Sequence, residues 1–297
     1  MEHTYNRIVV HTDFDGLISA LLLRRLYGPL EVVFMDPRSV EIKAFQSTPQ
    51  DIIADLPWPG AGLWFDHHAT NEPNASKGTF DKNAPSSPRV IYEFYKDQHP
   101  ELNEYMEIIL AADKIDFARY TEEDVRNPDH WIQLGYTLDF GEKIEDDNYK
   151  RHVLGLLETQ DYEKLFLDEE VQRRIKQYYQ HLEEWRNQIR PRISHHGKAL
   201  LVDLTHDENF PRGNNFELYI MYPDHIVTVT VYHSKHEKNH YKISCGNNIF
   251  CKDENKVNLG ELMKRYGGGG HRYAAGCTIP FSDKDRIVKE VLDALNA

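Results

Sequence analysis

The sequence contains no long apolar run. None of its hydrophobic stretches approaches the roughly 18 residues that a membrane-spanning helix requires, so no membrane segment is predicted. The chain reaches the strand-like stretch "RIVV" within six residues of its N-terminus, which leaves no room for the apolar core of a signal peptide. We therefore expect a cytoplasmic protein.

Cysteine and positive charge are both scarce. The three cysteines (Cys245, Cys251 and Cys277) are odd in number and form no CxxC motif, which argues against a disulfide framework and indicates a reducing compartment. The formal net charge of −13 argues against a protein that coats nucleic acid or membranes through bulk charge. Between Val229 and Arg272, however, eight basic residues face four acidic ones. This segment is either a solvated face or a local site for an anionic ligand.

The remaining composition is that of a globular chain of one large or two ordinary domains, because 297 residues with 40% hydrophobic content can bury more than one core. In the first third, short apolar runs alternate with helix-like stretches, a pattern typical of a parallel α/β sheet. Long charged helices begin at about residue 146, and a strand-rich segment follows them. We predict an α/β protein with a parallel-sheet domain at residues 1–190, which includes this helical linker, and a smaller mixed α/β domain at residues 197–297.

Local patterns predict individual elements within these domains. A helix is expected to start with Ser87 as its N-cap and Pro88 in the first helical position. The long helix 168–189 is expected to end where Pro191 and the following "SHHG" break it. Further helices are predicted at 17–28, 105–116, 149–157, 258–266 and 283–296. Strands are predicted at 7–10, 30–37, 51–57, 62–66, 198–205, 216–222, 225–233 and 240–246.

Acids and imidazoles follow the predicted strands of the first domain at the point where each strand ends. Because the carboxyl ends of parallel strands share one edge of the sheet, we expect these side chains to converge. Two more acids end the helix "ILAADKID". The converging set is His11, Asp13, Asp15, Asp55, Asp66, His67, His68, Asp113 and Asp116.

Such a cluster predicts a metal centre. Carboxylates at close range repel each other and raise their own pKa values, and a divalent cation removes that conflict. Asp and His ligands without thiolates favour Mn²⁺, with Mg²⁺ as the alternative. The ligands exceed the needs of one ion, so two ions about 3.5–4 Å apart are expected. Taken alone, "DFDG" also fits a calcium loop or a dehalogenase-type phosphatase, and Asp36 fits a helix cap.

A second motif, "GGGGHRYAAG", lies near the C-terminus. Glycine runs lose the most entropy on folding, so we expect Gly267 to Gly270 to form a backbone nest that binds an anion at the start of a helix. His271 and Arg272 would add charged donors. A flexible loop tip is the alternative.

The motifs DxDG, a strand-end Asp, DHH, a later Asp and GGGGH occur in this order over nearly the whole chain. The sequence therefore resembles the DHH phosphoesterase superfamily, and more specifically its subfamily with a DHHA1 C-terminal domain. The resemblance implies that the N-terminal domain holds two Mn²⁺ ions and that the C-terminal domain grips the substrate across a cleft. It implies that Asp13 and Asp15 each take one metal, that Asp55 bridges both, that His67 is the imidazole ligand and that His68 faces the phosphate.

For the remaining metal ligands and substrate-binding residues, the resemblance leaves more than one candidate. Asp116 is preferred over Asp113 as the last metal acid. His11 is a further candidate ligand, although several members place this histidine four residues before the first Asp, where Val9 stands here. The motif Gly267 to His271 corresponds to the substrate-binding loop. Many relatives that cut very short oligonucleotides carry an arginine in the preceding strand, where "YKISCGNN" offers only Lys242 or Asn247.

The resulting prediction is a Mn²⁺-dependent phosphodiesterase that hydrolyses short single-stranded oligonucleotides or dinucleotides to nucleoside monophosphates. Two domains without a global positive charge favour short substrates, since long strands are held through many phosphate contacts. The alternatives are a phosphomonoesterase acting on 3′-phosphoadenosine 5′-phosphate (pAp), an exopolyphosphatase, and a non-catalytic nucleic-acid-binding module, which should have lost its metal acids. The strands of the second domain could pair across a homodimer.

Overall fold

The computed structural model describes residues 5–139, 146–208, 210–211, 213–235 and 237–297. The chain divides into two compact units, one formed by Met1–Arg119 with Pro128–Tyr178 and the other by Tyr120–Asn127 with Tyr179–Ala297. The functional division predicted from the sequence, at 1–190 and 197–297, stays a prediction.

The first unit contains a five-stranded parallel sheet in the order β2-β1-β3-β4-β5. The apolar run Ile8 to Val10 is completely buried, as expected for a strand covered on both faces of a parallel sheet. The structure confirms the predicted α/β class with its parallel sheet. The strands are β1 (Arg7–His11), β2 (Glu31–Met35), β3 (Asp51–Ala54), β4 (Leu63–Asp66) and β5 (Thr79–Phe80).

The second unit contains a separate six-stranded mixed sheet in the order β10-β11-β9-β8-β7-β6. Within this sheet, the pair β7–β8 is parallel and the neighbouring pairs are antiparallel. Its strands are β6 (Ile193–His196), β7 (Ala199–Asp203), β8 (Val227–His233), β9 (His240–Asn247), β10 (Gly269–Gly270) and β11 (Ala274–Pro280).

Helices cover the sheets, and short 3₁₀ segments lie at Ala69–Lys77, Pro100–Tyr105, Arg190–Arg192, Lys252–Glu254 and Phe281–Asp283. The α-helices are α1 (Phe14–Tyr27), α2 (Pro37–Glu41), α3 (Ser87–Tyr95), α4 (Met106–Asp116), α5 (Glu122–Arg126), α6 (His130–Asp139), α7 (Asp147–Leu157), α8 (Tyr162–Leu167), α9 (Glu169–Ile189), α10 (Phe216–Met221), α11 (Leu259–Lys264) and α12 (Lys284–Asn296). None of the helices within the described ranges is long and apolar enough to cross a membrane.

Helix α1 begins three residues earlier than predicted and directly after β1. Asp13 is its N-cap, because the Asp13 carboxylate accepts a hydrogen bond from the Gly16 amide at 3.0 Å. A Cβ atom on Gly16 would lie 2.1 Å from the carbonyl oxygen of His11. The glycine of "DFDG" is therefore required for this close approach of helix to strand, which fixes the direction of the Asp13 and Asp15 side chains.

Two local predictions were wrong. Ser86, not Ser87, is the N-cap of α3, because its hydroxyl accepts the Arg89 amide at 3.2 Å. The segment 216–222 forms the short helix α10 and not a strand; Glu217 on this helix is buried and pairs with Arg186 of α9, a contact that local propensity does not predict. The predicted break of the long helix is confirmed, because α9 ends at Ile189, and Ile193–His196 then pairs with β7 as an edge strand.

Candidate active site

The ends of β1, β3 and β4 and the end of α4 bring the predicted acids and imidazoles together. Asp55 and His67 are each shared by two of three groups whose potential ligand atoms all lie within 4.8 Å of one another. This sharing is the arrangement expected where two cations are bridged by common ligands. The three groups are His11, Asp13 and Asp55; Asp55, His67 and His68; and Asp15, His67 and Asp116.

Asp55 lies at the centre of this cluster in an unusual backbone conformation. Its φ of 59° is in the left-handed region that non-glycine residues avoid. Its amide donates to the Phe65 carbonyl at 3.1 Å, and its side chain is 1% exposed. The Oδ1 atom accepts the Ser87 hydroxyl at 3.3 Å, whereas the buried Oδ2 atom has no hydrogen-bond partner among the described residues. The Nδ1 atom of His11 lies 3.4 Å from this oxygen, and a buried carboxylate oxygen that makes no hydrogen bond is suited to bind a cation.

His67 presents one ring nitrogen to the same centre. Its Nδ1 lies 3.1 Å from the Ala84 carbonyl oxygen, which can only accept, so Nδ1 carries the proton in the neutral ring. The other nitrogen, Nε2, is buried without a hydrogen bond in the described structure. It lies 3.5 Å from Asp116 Oδ2 and 3.7 Å from Asp55 Oδ1. A neutral imidazole fixed by a carbonyl on one side and free on the other is the form that binds metals.

Asp15 is held by the start of α3. The amide of Ser87 donates to both carboxylate oxygens of Asp15, at 3.2 and 3.0 Å, and the Ser19 hydroxyl lies 3.4 Å from Oδ1. The amide and hydroxyl of Ser87 thus orient two acids of the cluster, Asp15 and Asp55. Sequence reasoning missed this role because it assigned Ser87 to helix capping.

His68 and Asp66 form a pair, and the Nδ1 atom of His68 also lies 3.5 Å from Asp55 Oδ1 within the cluster. The Nδ1 atom of His68 lies 3.0 Å from Asp66 Oδ1, while the other oxygen of Asp66 accepts the Asn71 amide at 2.6 Å. Asp66 is completely buried, whereas the His68 side chain is 45% exposed. Burial lowers the pKa of His68, but the hydrogen bond to Asp66 and the charges of Asp55, Asp66 and Asp116 together outweigh burial and raise that pKa to about 9. His68 is therefore a cationic, accessible donor at neutral pH.

Asp113 and Asp116 occupy different surroundings. Asp116 joins the cluster through His67, whereas Asp113 accepts the Ser86 hydroxyl at 2.6 Å and Arg89 Nε and Nη2 at 3.1 and 2.5 Å. The Arg89 guanidinium neutralises Asp113, and Asp113 belongs to none of the three groups found in the described residues. The structure thus separates two acids that their spacing in the sequence left equivalent.

Without bound cations, the carboxylates of the cluster repel one another. Burial and the charges of Asp55, Asp116 and Asp13 raise the pKa of Asp15 well above its ordinary value. Burial and the Asp55 charge raise the pKa of Asp116 to about 7. Divalent cations would remove this repulsion and occupy the open positions at Asp55 Oδ2 and His67 Nε2. The oxygen and nitrogen donors present therefore fit a pair of metal ions.

The glycine run does not form the predicted helix start. It follows the end of α11, and its last two residues form the edge strand β10. Gly267 ends the helix with a φ of 76°. A Cβ atom on Gly268 would lie 2.2 Å from the Gly276 carbonyl oxygen, and one on Gly270 would lie 2.5 Å from the Ala275 Cα atom. Gly269 has neither constraint, since its Cβ atom would meet nothing within 4 Å. The helix end and close packing against β11 therefore explain the other three glycines.

The residues after the glycines remain accessible. His271 and Arg272 are exposed, and their carbonyl groups accept the Gly260 and Leu259 amides at 3.0 Å each. Helix α11 therefore holds the loop while the His271 and Arg272 side chains face solvent. Of the two substitutes proposed for the missing strand arginine, Lys242 is exposed on β9, whereas the Asn247 side chain bonds to Asn255 and the Lys252 carbonyl inside the fold.

Comparison with known proteins agrees with this architecture. The family model of the DHHA1 domain matches residues 221–297. No curated protein matches the sequence. Among solved structures, the pGpG-specific phosphodiesterase PggH from Vibrio cholerae is 30% identical, with a TM-score of 0.80 over 98% of this chain and 99% of its own. RecJ from Thermus thermophilus, solved in complex with Mn²⁺, is 14% identical with a TM-score of 0.59 over 99% of this chain and 52% of its own, a likeness of fold. The chain belongs to the DHH superfamily of phosphoesterases, hydrolases of phosphoric ester bonds, and within it to the DHH–DHHA1 subfamily.

Proposed function

We propose that the protein is a Mn²⁺-dependent phosphodiesterase that hydrolyses dinucleotides or short single-stranded oligonucleotides to nucleoside monophosphates. The observation that carries this proposal is the shared-ligand cluster around Asp55 and His67. The 30% identity to a pGpG-specific phosphodiesterase over the full chain supports the substrate class. The mixture of carboxylate and imidazole donors supports Mn²⁺ over Mg²⁺.

The proposed ligand roles follow from the distances in the cluster. Asp55 would contact both ions, because its oxygens face His11 and Asp13 on one side and His67 on the other. Asp13 and Asp15 would each bind one ion. Asp116 and His67 would complete one site, and His11, whose Nδ1 lies 2.6 Å from Asp13 Oδ2, would complete the other directly or by orienting Asp13.

The proposed chemistry divides between the cations and the chain. When bound, a pair of divalent cations supplies an activated water and neutralises charge on the phosphoryl group. The protein residues hold these ions in place: Ser87 fixes Asp15 and Asp55, and Ala84 fixes the tautomer of His67. His68, cationic beside Asp66, would donate a hydrogen bond to a phosphoryl oxygen as its negative charge grows. Gly269, His271 and Arg272 would bind a further part of the substrate, its remaining phosphate or base.

The experiment compares hydrolysis of a substrate panel in Mn²⁺ by the wild-type protein, Asp55→Asn and Asp36→Asn. The panel contains pGpG, other dinucleotides, oligonucleotides of two to ten residues, pAp and polyphosphate, with products resolved by chromatography. We expect mononucleotides from the shortest substrates and a loss of about 100-fold or more in Asp55→Asn. Asp36→Asn is the matched control, since Asp36 also ends a strand but caps α2 through the Arg38 amide at 2.8 Å.

Other outcomes identify the alternatives. Phosphate release from pAp or polyphosphate without dinucleotide cleavage would reveal a phosphomonoesterase or an exopolyphosphatase. If every substrate stayed intact and Asp55→Asn changed nothing, the protein would be a non-catalytic binding module.

A further inference from the structure

Helix α4 carries the metal-site acid Asp116 in its last turn and ends immediately after it. Ala118 adopts a left-handed φ of 46°. The Ala118 amide donates to the Ile115 carbonyl at 3.1 Å, and the Arg119 amide donates to the Lys114 carbonyl at 2.9 Å. These two bonds form a Schellman motif, which turns the chain back across the helix end. The two residues that flank Ala118 are therefore held in a fixed relation to Asp116.

The flanking residues present an aromatic ring and a guanidinium group at the surface. Phe117 is 44% exposed, and the Cζ atom of Arg119 lies 4.5 Å from the centre of its ring. In the described part of the chain, Arg119 forms no ion pair, although acids exceed bases by 13 in this protein. Phe117 and Arg119 thus form an accessible cation–π pair, directly after Asp116 in the chain.

We propose that Phe117 and Arg119 form a nucleotide platform, in which the substrate base stacks on the Phe117 ring and Arg119 pairs with a substrate phosphate. This proposal rests on the proposed function and names specificity-determining residues for it. Aromatic rings bind bases of any sequence by stacking, and an arginine adds charge for the backbone. Because Phe117 caps the helix end that carries Asp116, a base stacked on its ring would lie at that end of α4.

The platform predicts a base-dependent loss of binding. We would measure binding of a non-hydrolysable pGpG analogue, with a methylene group in place of the bridging oxygen, to the full-length protein in Mn²⁺ by calorimetry. We expect Phe117→Ala to raise its Kd about 5- to 100-fold and Phe117→Trp to restore it. An analogue that lacks one base should bind the wild-type protein and Phe117→Ala equally. Arg119→Gln should weaken binding of both analogues and reduce its sensitivity to salt.

Phe94→Ala is the matched control, because Phe94 is 51% exposed on α3 of the same unit and lies outside the cluster. It should leave the Kd unchanged. No binding to the wild-type protein, an unchanged Kd in Phe117→Ala, or equal weakening for the analogue without the base would overturn the platform. Hydrolysis of authentic pGpG by the wild-type protein is scored separately, so a failure of the proposed function is distinguished from a failure of the platform.

Discussion

At the scale of single residues, adjacent side chains of the DHH motif share one partner and differ in another. The ring centres of His67 and His68 lie 4.5 Å apart, and both rings reach Asp55 Oδ1, through His67 Nε2 at 3.7 Å and His68 Nδ1 at 3.5 Å. His67 Nε2 also lies 3.5 Å from Asp116 Oδ2, whereas His68 Nδ1 lies 3.0 Å from Asp66 Oδ1. The motif therefore supplies one imidazole with a fixed tautomer, one partly exposed imidazole and one buried acid that orients it.

The two acids of α4 provide a test at this scale. We expect Asp116→Asn to weaken Mn²⁺ binding by about 100-fold or more, beyond the 10- to 100-fold typical of residues that only orient a ligand. Asp113→Asn should leave Mn²⁺ binding nearly unchanged but lower the free energy of unfolding by about 2 kcal/mol, because Arg89 loses a charged hydrogen-bond partner. Calorimetric titration with Mn²⁺ and chemical denaturation of both variants separate the effects. Equal losses of metal affinity would contradict the assignment.

At the scale of secondary-structure elements, the turn that follows α4 has an alanine, Ala118, at the left-handed position where glycine is usually found. The left-handed conformation at Ala118 costs a non-glycine residue about 1–2 kcal/mol, part of which the greater chain entropy of glycine offsets. We expect Ala118→Gly to raise the free energy of unfolding by about 0.5–1 kcal/mol. Ala111→Gly, within the same helix, should lower it by about 1 kcal/mol. Denaturant titrations that show the same sign for both changes would contradict the turn geometry.

The glycine run offers a second test of an element. Gly268→Ala should destabilise the second unit, because its Cβ atom would overlap the Gly276 carbonyl and Cys277. Gly269→Ala should leave the melting temperature unchanged, since its Cβ atom would meet open space. If this face of the loop binds substrate, Gly269→Ala should still raise KM. Unchanged KM together with unchanged stability would remove Gly269 from the binding site.

The sequence predicted those elements that obey local rules. Apolar runs located β1 to β4, and their parallel order brought the polar strand ends to one edge. Tertiary context decided the rest: the strand-like segment 216–222 became α10, and the packing of Gly268 and Gly270 against β11 could not be inferred before β11 was known. The orienting role of Ser87 likewise depends on a contact with Asp15, 72 positions earlier in the chain.

At the scale of the whole molecule, the excess of acids matters most in the acid–histidine cluster, where carboxylates lie close together. An acid with a raised pKa stabilises the fold at low pH, and that contribution is lost as pH rises through the folded pKa. Asp15 and Asp116 belong to this class, and the pKa of Asp116 is about 7. In the metal-free protein, repulsion within the cluster should therefore lower stability between about pH 4 and pH 7. Bound cations reverse the sign, because they favour the ionised acids.

Metal-dependent stability should consequently depend on pH. At pH 6 a cation must displace the proton of Asp116, whereas at pH 8 that proton is already lost, so apparent affinity should be about tenfold weaker at pH 6. Since ligand binding stabilises the folded state by mass action, the rise in melting temperature from EDTA to a fixed excess of Mn²⁺ should be larger at pH 8. Thermal unfolding at both pH values measures this difference. An equal rise at both pH values in the wild-type protein would show that Asp116 does not exchange a proton for the metal.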